Sequence, residues 1–202
     1  MKKVMIMVAA ILFSFATKAQ GVHFGVKGGL NASELHGDNI TDAKTKIGFH
    51  AGVLAHIHTA NKSWAIQPEL MYSSEGAKYK ESLIGGTSSD YKLDMNMINL
   101  PVLVQYMFDN GFRIEAGPQV GYLLSAKLKP EEGSSSTDLK DNFKKINFSI
   151  PVGIGYLTRS GLGFDARYNF GISDLNDTDG GSKITGNNFQ FGLFYQFSDT
   201  KK

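Results

Sequence analysis

Two runs of alternating apolar and polar residues, joined by one tight turn, constrain the fold of this chain most. Every second residue is apolar from Ile98 to Phe108, and the alternation resumes from Phe112 to Leu124. Asn110-Gly111 lies between the runs, and Asn-Gly is the strongest short hairpin signal because both residues tolerate positive φ. A period of two gives each strand one apolar and one polar face. Both runs exceed the usual strand length and are long enough to cross a bilayer, so the hairpin indicates a membrane β-barrel.

The same alternation recurs along the chain and predicts eight strands in total. The six further strands are predicted at residues 22–31, 47–58, 64–73, 146–156, 162–172 and 188–197. Long polar segments, predicted to be loops, occupy residues 32–45, 75–92, 127–142 and 173–186. The other connections are tight turns of about three residues, as in outer-membrane barrels. The predicted fold is therefore all-β: an eight-stranded antiparallel up-and-down transmembrane β-barrel with four long external loops and short periplasmic turns.

An internal repeat supports a barrel built from similar hairpins. Residues 99–106 (NLPVLVQY) match residues 149–156 (SIPVGIGY) at an offset of fifty positions, and residues 111–116 match 161–166 at the same offset. The prolines and the turn glycines align as well as the apolar positions. A repeated hairpin is the expected unit of an up-and-down barrel.

The first nineteen residues have the pattern of a secretory signal peptide. Lys2 and Lys3 precede an apolar run from Val4 to Ala16, and small residues follow at Thr17 and Ala19. We expect cleavage after residue 19, which leaves residues 20–202 as one barrel domain. Cleavage leaves 18 basic and 19 acidic residues, so the net charge changes from +2 to −1. Nothing in this balance indicates a nucleic-acid partner.

The composition of the two faces indicates which one meets the bilayer. The polar face is mostly Gly, Asn, Gln and Ser, which suits a narrow filled interior better than a solvated surface. The aromatic residues of the apolar face fall near the two strand ends, as expected for the girdles of a membrane barrel. Those near the short turns are Trp64, Tyr106, Phe112, Tyr156 and Phe197, and those nearer the loops are Tyr72, Tyr122, Phe148, Phe170 and Phe189. The alternative is a secreted, soluble, lipocalin-like ligand-binding barrel with its apolar face inside.

Five charged residues on the polar face are predicted to point into the lumen. They are Glu69, Arg113, Glu115, Asp165 and Arg167. Charges in a narrow lumen must pair to offset desolvation, so we expect an arginine–carboxylate network across the third, fifth and seventh predicted strands. Eight strands leave an interior only wide enough for side chains, so a wide open pore is not expected. A small-solute porin, with these charges as a selectivity ring, is a second alternative.

The sequence carries few signals of chemistry. His56 and His58 share a face, and a neighbouring strand brings His23 near them, so these three are weak candidates for a metal site. Asp174, Asp177 and Asp179 form an acidic segment whose spacing misses the calcium-loop pattern, and a solvated loop is the simpler interpretation. No catalytic triad, phosphate loop or zinc motif is present in the sequence. We therefore predict neither an enzymatic activity nor a cofactor.

The opening hairpin resembles an outer-membrane β-barrel family common in Bacteroidota, often labelled porin family or PorT-like. Residues 98–106 and 116–124 carry the resemblance, together with residues 25–31 and 67–72. It implies an OmpA/OmpX-like eight-stranded barrel in the outer membrane, with a structural, adhesive or transport- or secretion-associated role. The implied partners are outer-membrane lipid, lipopolysaccharide and envelope or secretion-system proteins. The resemblance carries no site residues, and the oligomeric state is left open.

Overall fold

The structure is a computed structural model that describes residues 21–37, 43–82, 88–130, 136–178 and 182–197. The predicted signal peptide lies outside the described residues. The secondary structure consists of strands and one short 3₁₀ helix, Lys140–Asn142. The strands are β1 (Val22–Gly37), β2 (Ala43–His58), β3 (Trp64–Ser82), β4 (Ser88–Met107), β5 (Phe112–Ala116), β6 (Gln119–Pro130), β7 (Thr137–Asp138), β8 (Ile146–Leu157), β9 (Leu162–Gly171) and β10 (Ile184–Gln196).

Eight long antiparallel strands close into a ring, which confirms the predicted fold. Strand β1 pairs with β2 and β10, and β3 pairs with β4. Strands β5 and β6 are successive pieces of one long strand between β4 and β8, interrupted at Gly117 and Pro118. Strand β7 is a two-residue strand beside β6. Closure removes the exposed sheet edges, as a lipid environment requires.

The apolar faces of the strands point outward. Phe24 is 64% exposed and Leu193 is 55% exposed, whereas the polar residues that alternate with them are buried inside the ring. This arrangement excludes the soluble lipocalin-like alternative, because such a barrel would bury the apolar face around its ligand. Rings at the short-turn end also contact one another: the centroids of Trp64 and Tyr106 are 5.1 Å apart.

The two ends of the described chain lie on the side of the short turns. The backbone N–H of His58 donates to the carbonyl of Gly21, and that of Phe197 donates to the carbonyl of Phe24. Within the described residues, no helix has the length and hydropathy of a membrane span.

The predicted limits of the four loops are wrong, because the strands continue far into them. Strand β1 runs to Gly37, β3 to Ser82 and β6 to Pro130, while β4 begins at Ser88 and β10 at Ile184. These polar extensions are paired as strands of the sheet. In them the two faces of the sheet exchange their polar and apolar character. Lys92 and Asp94 face outward there, and apolar side chains point inward.

An apolar cluster fills the outer end of the barrel, on the side of the long connections. Phe143 and Leu175 come from those connections and cover the cluster on its outer side. A backbone β-bridge joins Phe143 to Asn176. The buried members are Leu35, Ala77, Leu93, Met95, Met97, Leu123, Ala126, Phe143 and Leu175. Outside the bilayer the barrel is therefore built like a soluble protein, with an apolar interior and a polar surface.

Candidate functional site

Charged side chains from four strands meet in the middle of the lumen. The Arg167 guanidinium donates to both carboxylate oxygens of Glu69, with both distances 2.7 Å, and its Nε donates to Glu115. The Lys27 ammonium lies 2.6 Å from the nearer Asp165 carboxylate oxygen. All five residues are buried, with at most 4% of each exposed. We call these five residues, together with Arg113, the charge layer.

Amide side chains donate further hydrogen bonds to the two glutamates of the charge layer. Gln67 donates to Glu69 at 2.7 Å, and Gln105 donates to Glu115 at 2.6 Å. The layer contains three cations and three carboxylates, so it is neutral as a unit. A bidentate arginine–carboxylate pair with its remaining lone pairs satisfied is the arrangement that best offsets the desolvation of buried charges.

Arg113 is placed differently from the other four predicted charges. Its Nη1 donates to Gln105 at 3.4 Å, and its guanidinium carbon lies 5.5 Å from the ring centre of Phe194. Its Nε has no hydrogen-bond partner in the described part of the chain. Arg113 therefore joins the charge layer through an amide and an aromatic ring.

Lys27 is the residue that sequence reasoning missed. Its inward position could be read from the alternation of β1, where Val26 faces outward and Lys27 does not. Its partner Asp165 lies on β9, two strands away around the ring, and only barrel closure brings the two together. The alternation of residues along β1 shows which way Lys27 points, but it does not show which residue Lys27 contacts.

The three candidate metal-binding histidines lie close together at the short-turn end. His23 is the register partner of His56. The ring centroids of His56 and His58 are 4.7 Å apart, and those of His23 and His58 are 5.6 Å apart. His56 is already hydrogen-bonded through Nδ1 to Gln67. No group of three possible ligands among the described His, Cys, Asp and Glu residues is arranged to hold a metal ion.

Four lysines form a row across neighbouring strands on the outer part of the barrel. Lys44 pairs with Lys78, Lys78 with Lys92, and Lys92 with Lys129. Lys44 is exposed, and the Lys92 and Lys129 side chains are 37% and 48% exposed. Lys78 and Lys92 lie six residues beyond the aromatic and apolar band at Tyr72 and Ile98, roughly 20 Å along the strands. We call Lys44, Lys78, Lys92 and Lys129 the lysine row.

Asp94 is the carboxylate that accompanies the lysine row. It lies 3.5 Å from the Lys92 ammonium, 3.1 Å from that of Lys129 and 3.2 Å from that of buried Lys46. Burial favours the neutral form of Asp94, but hydrogen bonds from Lys129 and Lys46 outweigh it and lower the pKa of this carboxyl group. The Asp94 carboxylate therefore lies among the ammonium groups of Lys46, Lys92 and Lys129.

Comparison with known proteins identifies the family. A model described as outer membrane protein beta-barrel domain matches residues 15–177. The chain belongs to this family. It is accordingly a β-barrel protein of the bacterial outer membrane. No curated protein matches the sequence.

Solved structures of other outer-membrane barrels share the fold. Neisserial surface protein A is 15% identical, with 88% of this chain and 100% of that chain covered and a TM-score of 0.55. Ail, the attachment invasion locus protein of Yersinia pestis, is 16% identical, with 87% and 98% covered and a TM-score of 0.51. At these identities the likeness establishes the fold alone.

In this outer-membrane barrel, Asp174 ties one outer connection to the start of β10. Its carboxylate accepts the backbone N–H groups of Ile184 and Asn176, each at 3.0 Å, and the Lys144 ammonium lies 3.1 Å away. These three donors lower the pKa of Asp174 to about 2. Of the predicted acidic segment, Asp177 is exposed, and Asp179 lies outside the described residues.

We expect the Asp174 contacts to survive mild acid and to break only at very low pH. Because the folded-state pKa lies below the ordinary value of about 4, the stabilisation is complete above about pH 4 and is lost as the pH falls through about 2. Amide chemical shifts of Ile184 and Asn176 should titrate with a midpoint near 2, and this titration should vanish in Asp174→Asn. A midpoint near 4 would contradict the contacts described.

Proposed function

We propose that this protein is a closed membrane anchor whose outer surface binds the anionic sugar phosphates of lipopolysaccharide. The lysine row carries the proposal. Like charges directly opposite on paired strands destabilise a sheet, and here four lysines occupy successive cross-strand positions. Asp94 offsets part of that repulsion at Lys92 and Lys129, and a polyanion lying across the strands would offset it further. Each basic residue near an anionic lipid surface contributes about 1 kcal/mol.

The position of the lysine row favours sugar phosphates over other anions. The row lies beyond the lipid-facing aromatic band, on the side of the long connections, where the phosphorylated sugars of the outer leaflet are found. An Ail structure was solved with the heparin analogue sucrose octasulfate. A barrel of the same fold therefore provides a precedent for binding a polyanionic sugar.

Loss of the lysine row should weaken lipopolysaccharide binding strongly. In Lys78→Gln/Lys92→Gln/Lys129→Gln, about 3 kcal/mol of attraction is removed, which corresponds to roughly 100-fold weaker binding. Binding of lipopolysaccharide to the barrel in zwitterionic nanodiscs, measured by fluorescence titration at fixed salt, tests this expectation. A dephosphorylated preparation should bind the native protein as weakly as the phosphorylated one binds the variant.

A matched variant separates a specific site from general surface charge. Lys140→Gln/Lys145→Gln/Lys183→Gln removes the same charge from outer-end lysines that are not register partners of the row. We expect it to bind nearly as the native protein does. Equal losses in the two triple variants would contradict a site at the lysine row.

The anchor is proposed to be closed to solutes. The charge layer spans the lumen, and the apolar cluster lies above it. We expect no stable open-channel conductance from the purified protein in planar bilayers, even at high salt. Large, reproducible conductance steps would instead support the small-solute porin alternative. The proposal assigns the protein no catalytic step.

A secretion-associated role is the second proposed function, and the PorT-like pattern of residues 98–106 and 116–124 supports it. Such a role requires stable contacts with other envelope proteins. Cross-linking in intact cells followed by mass spectrometry tests it. Recovery of lipids alone would leave lipopolysaccharide binding as the favoured function.

A further inference from the structure

A small cavity with both polar and apolar lining lies inside the barrel, next to the apolar cluster. Its volume is about 30 Å³, and its lining includes Met95, Met97 and Leu175 of the apolar cluster. Its polar lining includes Glu75, Asn99, Asn147, Asn169 and Asn188, and we call these five residues the amide chamber. A water molecule needs about 10–15 Å³ of such space. The cavity therefore has room for about two water-sized particles.

Several buried oxygen atoms of the amide chamber lack hydrogen-bond donors. Asn99 uses its Nδ2 to donate to Glu75 at 3.0 Å, and Asn169 uses its Nδ2 to donate to the backbone carbonyl of Asn188. The Oδ1 atoms of Asn99, Asn169 and Asn188, together with the Nδ2 of Asn188, have no partner in the described part of the chain. The three residues are at most 4% exposed. Buried polar atoms without partners are costly and require an explanation.

Gly121 makes room for two of the amide oxygens to converge. In the sheet register it lies between Asn99 on β4 and Asn147 on β8. Its missing Cβ would lie 2.1 Å from the Asn147 Oδ1 and 2.7 Å from the Asn99 Oδ1. The Nδ2 of Asn147 faces the sulfur of Met97. The side-chain oxygens of Asn99 and Asn147 therefore point into the same space beside Gly121. Their amide nitrogens donate instead to Glu75 and to the sulfur of Met97.

The amide chamber also contains the Glu75 carboxylate, whose hydrogen bonds from side chains in the described part of the chain come from neutral groups. Ser73 and Asn99 donate to Glu75, and both donors are neutral. The Lys46 ammonium is bound to the backbone carbonyl of Glu75 at 2.8 Å and to the Asp94 carboxylate at 3.2 Å. The charge layer is already neutral. An ionised Glu75 would therefore leave one negative charge in the chamber, which is either balanced by a bound cation or removed by protonation.

We propose that the amide chamber binds one monovalent alkali cation. Carboxylate and carbonyl oxygens are the ligands of hard cations, and amide-type carbonyl oxygens can replace the hydration shell of such an ion. The bound cation would neutralise Glu75, and the unpartnered Oδ1 atoms of Asn99, Asn169 and Asn188 would coordinate it. The cation would join β3, β4, β8, β9 and β10 at the level where the interior changes from polar to apolar.

Thermal unfolding of the refolded barrel in detergent tests the cation site. Chloride salts of lithium, sodium, potassium and choline are compared at equal ionic strength. We expect at least one alkali cation to raise the Tm saturably by about 5 °C over choline. The rise should disappear in Glu75→Gln and persist in Asp109→Asn, a matched carboxyl-to-amide change in an exposed short turn.

A second measurement does not depend on how well a variant folds. The relaxation of ²³Na in solutions of the native barrel should show saturable binding that an excess of potassium or lithium competes away. Equal Tm values in choline and in all three alkali salts, without competed ²³Na relaxation, would overturn the proposal and leave the chamber with water. A rise in Tm with calcium chloride, compared in the same way, but with none of the three alkali salts would also overturn the proposal, because the proposed site takes a monovalent ion.

Discussion

Replacing Arg167 by methionine is expected to destabilise the barrel by about 3–5 kcal/mol, the usual cost of removing one partner of a buried ion pair. The guanidinium bonds Glu69 at both oxygens and also Glu115, and all three residues are buried. Without it, two carboxylates would face each other in the lumen with only amide donors. Urea-induced unfolding in lipid vesicles, followed by tryptophan fluorescence, measures the loss.

Companion variants identify the cause of that loss. Adding Glu69→Gln and Glu115→Gln to Arg167→Met removes the unpaired charges, and we expect it to recover a large part of the stability. Arg167→Lys keeps the charge but cannot bond two carboxylates with a planar fork, so an intermediate loss is expected. Arg159→Met changes the same residue type in an exposed turn and should cost under 1 kcal/mol. If Arg159→Met cost as much stability as Arg167→Met, the loss in Arg167→Met would not come from the charge layer.

Replacing Leu93 by aspartate should unfold the outer end of the barrel, at a cost of about 4 kcal/mol or more. Leu93 is 3% exposed and packs in the apolar cluster. A carboxylate there would be buried among Leu, Met and Phe side chains. The lipid-embedded part should persist, because its stability comes from strand pairing and from the charge layer. Limited trypsin digestion should therefore cut at Lys92, Lys127 and Lys129 and leave the membrane-spanning part protected.

The control for Leu93 lies three residues away on the same strand. Asn96 faces outward and donates to Ser125, so Asn96→Asp introduces the same residue on the other face. We expect this variant to remain resistant to trypsin and to lose under 1 kcal/mol. Equal sensitivity of the two variants would contradict the inverted polarity of the outer end.

Part of this inverted polarity could be read from the sequence. Tyr91, Leu93, Met95 and Met97 occupy odd positions, whereas Ile98 and the apolar residues after it occupy even positions. The switch between Met97 and Ile98 marks the level where the barrel leaves the lipid. Apolar side chains then turn inward because water, and no longer hydrocarbon, lies outside. The polar composition of residues 75–92 indicates a loop, and only the alternation of apolar residues there, at Ala77, Tyr79 and Tyr91, indicates a strand.

The lysine row could not be read from the sequence in the same way. Its four members lie at residues 44, 78, 92 and 129, and they become neighbours only through the register of three strand pairs. That register includes an irregularity in β2 and another between β4 and β6 near Asn96 and Met97. A shift of one residue in any pair would place a lysine opposite a different partner and on the other face.

The sequence by itself determined the eight strands, the closed barrel, the outward apolar face and the inward direction of Glu69, Arg113, Glu115, Asp165 and Arg167. All of these follow from a period of two, which is a local property of each strand. Only the tertiary structure decided that Lys27 meets Asp165, that Arg167 joins Glu69 to Glu115, and that unpartnered asparagine oxygens converge beside Gly121. These contacts depend on closure and stagger of the ring, which bring together residues far apart in the chain.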